Sequence, residues 1–184
     1  LAGYADQPAL TIVKGSPEDP SALAEAVQGC EAIISVLNVS RTSDFPWAPL
    51  RSPKDLMSRS MSQLLALPEA ASVQRLVVCS AWGVAETKAE LPFWFRWLID
   101  YSNLKFPYLD HERQETIIRQ SQLKWTLVRP VGLTPFSRIQ TVRESYANQP
   151  RPRLTINRES LAAYLLAALE RDDLIGKAPT ISAE

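Results

Sequence analysis

Three apolar runs rich in β-branched residues set the limits on how this chain can fold. They are Ala32-Ile-Ile-Ser-Val-Leu37, Val73-Gln-Arg-Leu-Val-Val-Cys-Ser80 and Lys124-Trp-Thr-Leu-Val-Arg-Pro130. Their near-continuous apolar character suits strands covered on both faces, the condition of a parallel sheet. The segments between them carry helical signals. Ser21 to Gln28 is opened by Ser16-Pro-Glu-Asp-Pro20 and closed by Gly29, Lys54 to Ala71 is ended or bent by Pro68, and Tyr108 to Ser121 is a polar helix. Parallel neighbours need crossover connections. The rhythm therefore predicts right-handed βαβ units in an α/β, Rossmann-like doubly wound parallel sheet with helices on both faces. A length of 184 residues suits one such domain.

The remaining segments complete the pattern. Leu10 to Val13 reads as a further buried strand ending at Gly15, and Asn38 to Pro53 as a loop. Leu91 to Tyr101 reads as an aromatic amphipathic segment and Pro135 to Pro152 as a surface excursion. Arg158 to Arg171 reads as a helix and Ala178 to Ser182 as a last short strand.

Charge and composition exclude several classes. Lys+Arg and Asp+Glu both total 20, so the net charge is zero, unlike a domain that binds nucleic acid by neutralising phosphates. One histidine and two separated cysteines make no metal cluster, so no metal site is expected. Cys30 and Cys79 read as buried free thiols in a reducing compartment. No apolar run reaches membrane length and no signal peptide is visible, so the expectation is a cytoplasmic protein.

Open sheets of this kind bind ligands beyond the carboxyl ends of their strands. That rule selects Gly15-Ser16, Leu37-Asn38-Val39, Ser80-Ala81-Trp82 and Pro130-Val131-Gly132-Leu133. These stretches also carry a likeness to a known family. Val73-Gln-Arg-Leu-Val-Val-Cys-Ser-Ala-Trp-Gly83 resembles a "V-x-R-hydrophobic-S-S-x-G" strand and turn, and Ser121-Gln-Leu-Lys-Trp-Thr-Leu-Val-Arg-Pro-Val-Gly-Leu133 resembles "S-G-L-x-W-T-I-V-R-P-x-x-L". Val13-Lys-Gly-Ser-Pro-Glu-Asp19 is similar to "V-x-G-D-x-x-D", and Ile156-Asn-Arg-Glu-Ser-Leu-Ala162 to "I-S-R-x-D-V-A". In order and spacing the chain resembles the NmrA-like branch of the atypical short-chain dehydrogenase/reductases. Asp110-His111 is similar to the Asp-His pair of the flavin/biliverdin-IXβ reductases of that superfamily.

Departures are as specific. The family begins with a strand and a Gly-x-x-Gly-x-x-Gly turn that holds the dinucleotide pyrophosphate. The six glycines here include no such spacing. By motif alignment Leu1 falls just after the family's second strand, so the first βαβ portion is missing. The expectation is a truncated description of a larger protein, whose intact mass would exceed 20.6 kDa, and a sheet with two unpaired strand edges. Ser16 replaces the usual acid, Asn38 the usual glycine, and Asn157 and Ser160 the usual Ser and Asp.

The resemblance implies an NAD(P)H-dependent reductase of a small carbonyl, quinone or flavin-like acceptor, with NADP favoured over NAD. Gly15, Ser16, Leu37, Asn38 and Val39 would flank the adenine and ribose, and Pro130, Val131, Gly132 and Leu133 the nicotinamide. Ser80, beside Ala81, falls at the family's active-site serine, where its hydroxyl would bond a substrate carbonyl or the nicotinamide amide. His111 falls where many members place a ribose-contacting lysine, and a neutral imidazole would bond the ribose or relay a proton there. Trp82 and Trp94 would line a planar substrate's pocket, or belong to ordinary core or a subunit contact. Tyr101 and Lys105 match the Tyr-x-x-x-Lys of ordinary short-chain dehydrogenases, but Pro107 argues that the helix they need does not continue. Two other functions fit the same resemblance: a non-catalytic NAD(P) sensor acting on a protein partner, and a member that binds no dinucleotide.

Overall fold

The computed structural model describes residues 9–135 and 138–184. Its centre is a five-stranded sheet of order β1 (Ala32–Ser35), β2 (Arg75–Cys79), β3 (Lys124–Pro130), β7 (Thr180–Ala183), β5 (Val142–Ser145). The first four strands are mutually parallel, and β5 closes the far edge antiparallel to β7. A two-stranded parallel ladder of β4 (Gly132–Thr134) and β6 (Thr155–Asn157) sits beside it. The helices are α1 (Pro20–Val27), α2 (Leu56–Ala66), α3 (Phe93–Asp100), α4 (Lys105–Arg119) and α5 (Arg158–Ala168).

Period-two alternation distributes the strand residues between two cores. Leu76, Val78 and Leu127 face one way and pack with Val27 of α1, Met61 and Leu64 of α2, and Ile118 of α4. Val77, Val128 and Ile181 face the other way, onto Leu161, Leu165 and Ala168 of α5. The same alternation places the polar strand residues. Arg75 turns to the α5 side, where its guanidinium donates to the carbonyls of Ala168 and Leu169 at the helix C-terminus and to Thr126 Oγ1. Ser80 and Arg129 turn to the α4 side.

Helix ends follow the punctuation in the sequence. Asp19 caps α1 by accepting from Ser21 N at 3.0 Å, with Pro20 at the first helical position. Asn157 caps α5, accepting from Ser160 N at 2.7 Å. Pro68 ends α2 and starts a short 3-10 turn, Pro68–Ser72.

Several expectations are corrected. Leu10 to Val13 is irregular, not a strand, and Leu10 and Ile12 are 45% and 37% exposed. A strand exists only through a neighbour's amides and carbonyls, and no described strand runs beside this run, so β1 is the sheet edge. The excursion from Pro135 to Pro152 contains β5, whose Val-Arg-Glu-Ser sequence is held by backbone pairing to β7 and so lacks an apolar signature. Phe136 and Ser137 of that stretch lie outside the described residues. Cys30 and Cys79 are free thiols but half-buried, not fully enclosed. In the aromatic segment, Phe93, Trp94 and Trp97 project outward at 75%, 54% and 53% exposure. Among the described residues no helix is long and apolar enough to cross a membrane, and no group of three acidic, His or Cys side chains is placed to hold a metal ion.

Candidate active site

The carboxyl ends of β1, β2 and β3 open into a cavity of about 360 Å³. Its wall brings together residues from three of the four stretches selected from sequence: Leu37 and Asn38; Ser80, Ala81 and Trp82; and Pro130, Val131, Gly132 and Leu133. His111 joins them from α4.

The other selected residues lie elsewhere. At Gly15 a Cβ would stand 2.3 Å from Ala22 Cβ, so this glycine permits close packing on α1. Ser16 belongs to the turn that opens α1, its Oγ accepting from Glu18 N at 3.2 Å. Val39 is 3% exposed in a small core with Leu56 and Met57. Trp94 lies off the cavity, and its neighbour Phe95 takes the place expected for it. Tyr101 caps the end of α3 while Lys105 begins α4, so the two do not share a helix face. Gly132 permits a close approach, but to protein: a Cβ there would meet Leu154 O at 2.9 Å, within the β4–β6 ladder.

Tyr108, Phe95 and Arg158 also line the cavity and were not foreseen. Tyr108 was legible in principle, because it stands three residues before His111 and so on the same face of α4. Burial pushes its phenol up to about 12, so it stays protonated at neutral pH.

Ser80 is 4% exposed and its Oγ donates to Glu115 Oε1 at 2.6 Å. Glu115, 2% exposed on α4, is also held by Arg129, whose Nε and Nη2 donate to Oε1 and Oε2 at 2.9 and 2.5 Å. The other edge of Arg129 donates to Glu86 at 2.7 and 3.2 Å, and these bonds hold the Glu86 carboxyl below its ordinary pKa. A buried pair is tolerated only when each charge is met and hydrogen-bonded, and here the Glu115 carboxylate and the Arg129 guanidinium both are. Sequence reasoning missed this network, since Glu115 and Glu86 lie far from the strand motif.

His111 is 5% exposed, and its Nδ1 is buried with no hydrogen-bond partner among the described residues. Burial lowers its pKa, against the opposing pull of Glu115, the neighbouring Gln114 amide and Asp110, so the imidazole is neutral at pH 7. A neutral imidazole carries one donor and one acceptor nitrogen. The adjacent Asp110 does different work. It is fully buried, and its carboxylate accepts from Met57 N at 2.8 Å and from Ser58 N and Oγ, capping α2 from another helix.

The sequence matches the family model described as NAD(P)H-binding over residues 1–172, and the chain belongs to that family. No curated protein matches it. Solved structures match its fold. A short-chain dehydrogenase/reductase from Veillonella parvula in complex with NADP aligns at TM-score 0.73 and 15% identity, over 96% of this chain and 74% of that one. ChuY, an anaerobilin reductase from Escherichia coli O157:H7, aligns at TM-score 0.70 and 15% identity, over 99% of this chain and 79% of that one. The oxidoreductase ylbE from Lactococcus lactis aligns at 0.69 and 17%, over 95% and 70%.

The cavity has the features of a small-molecule site. It is apolar-walled, set at the strand ends, and supplied with an unpartnered buried nitrogen and the free lone pairs of Ser80. With Gly15, Ser16 and Val39 committed to packing and turn formation, the adenine end has no comparable cradle among the described residues.

Proposed function

We propose that this protein is an NAD(P)H-dependent reductase whose cavity binds the nicotinamide end of the cofactor beside a small planar acceptor. One observation carries the reading: His111, whose buried Nδ1 has no partner among the described residues, lines a cavity on the carboxyl ends of the strands, in a chain of the NAD(P)H-binding family. A buried polar atom without a partner is costly, and a ligand that supplies one recovers that cost.

When bound, the dinucleotide supplies hydride. The chain's own residues bind and orient. Pro130 to Leu133 and Trp82 exclude water from the reacting face, and Ser80 and His111 hold polar groups of the ligands at fixed positions. With no opposing charge within ion-pair distance among the described residues, Arg158 at the cavity favours an acceptor that carries negative charge. A phosphorylated flavin meets that preference directly, and a small carbonyl compound or a quinone meets it where it carries an acidic substituent. NADP is the favoured cofactor, the acceptor is a small molecule, and the site of action is the cytoplasm.

Calorimetric titration with NADPH and NADH tests the reading first. Micromolar binding, followed by NADPH oxidation with one member of a quinone, flavin and aldehyde panel, is the expected result. Binding without turnover on any acceptor would instead fit a regulatory sensor, and absence of binding would overturn the proposal.

A further inference from the structure

The hydroxyl of Ser80 has one proton, and the structure commits it. The Oγ donates to Glu115 Oε1 at 2.6 Å, and Glu115 cannot turn away easily, because Arg129 holds its carboxylate in place through Nε on the same Oε1 and Nη2 on Oε2. A hydroxyl whose proton is so engaged offers only its lone pairs to anything else. Toward the cavity Ser80 is therefore an acceptor.

Resting on the reductase reading above, we infer that Ser80 accepts a hydrogen bond from the carboxamide N–H of the nicotinamide and does not donate to a substrate carbonyl. Glu115 is the positioning residue that sets this polarity. The carboxamide is the ligand group that fits: it carries two N–H donors, it belongs to the end of the cofactor that this reading places in the cavity, and Ser80 lies at the strand end beside Pro130 to Leu133. Substrate carbonyl polarisation then falls to another donor in the cavity. The Tyr108 phenol, which keeps its proton, the His111 imidazole, the Asn38 amide and the Arg158 guanidinium are the side-chain donors that line it.

The test compares NADP⁺ with its acetylpyridine analogue, which keeps the carbonyl and replaces the amide NH₂ by methyl. Wild-type protein is expected to bind the analogue about tenfold more weakly, the worth of one lost hydrogen bond in a closed site. In Ser80→Ala the two ligands bind alike, and Ser80→Thr, which retains the hydroxyl, restores the preference. The paired swap Glu115→Leu with Arg129→Met removes the anchor without leaving a buried charge and frees the Ser80 proton, so the hydroxyl can donate as readily as accept and the preference shrinks while NADP⁺ still binds. Equal or tighter binding of the analogue by wild-type protein overturns the inference and leaves the reductase reading standing. Failure to bind NADP⁺ at all overturns both.

Discussion

The Asp110 carboxylate accepts the backbone N–H of Met57 at 2.8 Å, so a side chain on α4 caps a helix at a residue 53 positions earlier in the chain. The residue at the usual capping position, Asp55, makes no side-chain cap bond. Adjacent residues of α4 therefore divide the labour. Asp110 fixes α2 against α4, and His111, next along the helix, faces the cavity.

Replacing Asp110 with Ala strips the N-terminus of α2 of its acceptor in a buried setting. Loss of a helix cap costs about 1 kcal/mol, and orphaned buried donors add about 1–3 kcal/mol. The expected outcome is a clear drop in thermal midpoint and in the denaturant midpoint. Dinucleotide affinity, measured well below the melting temperature, should change far less than it does in His111→Ala.

His111 gives stability a pH dependence of predictable sign. Burial holds its folded pKa below the ordinary 6.5. As pH falls through 6.5 the unfolded chain takes up a proton that the folded chain refuses, so the unfolded state gains. Stability is full above that pH, declines as pH falls toward the lower folded value, and changes no further from this group below it. The groups facing the ring, Asp110 and Glu115, pull the other way but do not cancel the effect. In His111→Gln the difference in thermal midpoint between pH 7.5 and 5.5 should shrink relative to wild type. An unchanged difference would remove His111 as its source.

The two cysteines should react differently. Cys79 lies at the cavity, but its side chain packs against the core cluster, and burial pushes its thiol up to about 12. Since the thiolate is the nucleophile, Cys79 has almost none at pH 7.5. Mass spectrometry after brief iodoacetamide treatment of the folded protein should find alkylation at Cys30 and little at Cys79. Denaturation before treatment should make the two sites equal.

How much of this was legible in the sequence depends on which physical signal each element carries. β1, β2 and β3 are covered on both faces, so their apolar runs announced them. The cavity followed, because ligands in such sheets gather at strand ends and Ser80, Trp82 and Pro130 to Leu133 were already placed there. β5 was missed because Val142 to Ser145 is held by backbone pairing and carries no apolar pattern. Leu10 to Val13 misled for the opposite reason: it has strand composition but no paired neighbour. Gly15 and Gly132 were read as openings for a ligand, whereas Ala22 and Leu154 occupy the space a side chain would need. Glu115 and Asp110 were unreadable in their roles, since a contact between α4 and a distant strand or helix leaves no local pattern.

Breaking the buried Glu115–Arg129 pair is the most direct test of what holds Ser80. The two side chains are 2% and 1% exposed and meet at 2.5 Å. Removing one partner strands the other charge in a low-dielectric interior, a loss of about 3–5 kcal/mol, whereas exchanging both for apolar residues of similar size is often neutral or stabilising. Arg129→Met alone and Glu115→Leu alone are therefore each expected to unfold at markedly lower denaturant, and the double variant to recover most of the difference. Glu86, the outer partner of Arg129, is largely solvated, so it tolerates the loss. Arg119, which also reaches Glu115 at 3.6 Å, is partly exposed and does the same. A double variant no more stable than the worse single would show that the pair contributes through its geometry as well as its charge balance. Survival of the ligand preference in that double variant would remove Glu115 as the residue that sets the polarity of Ser80.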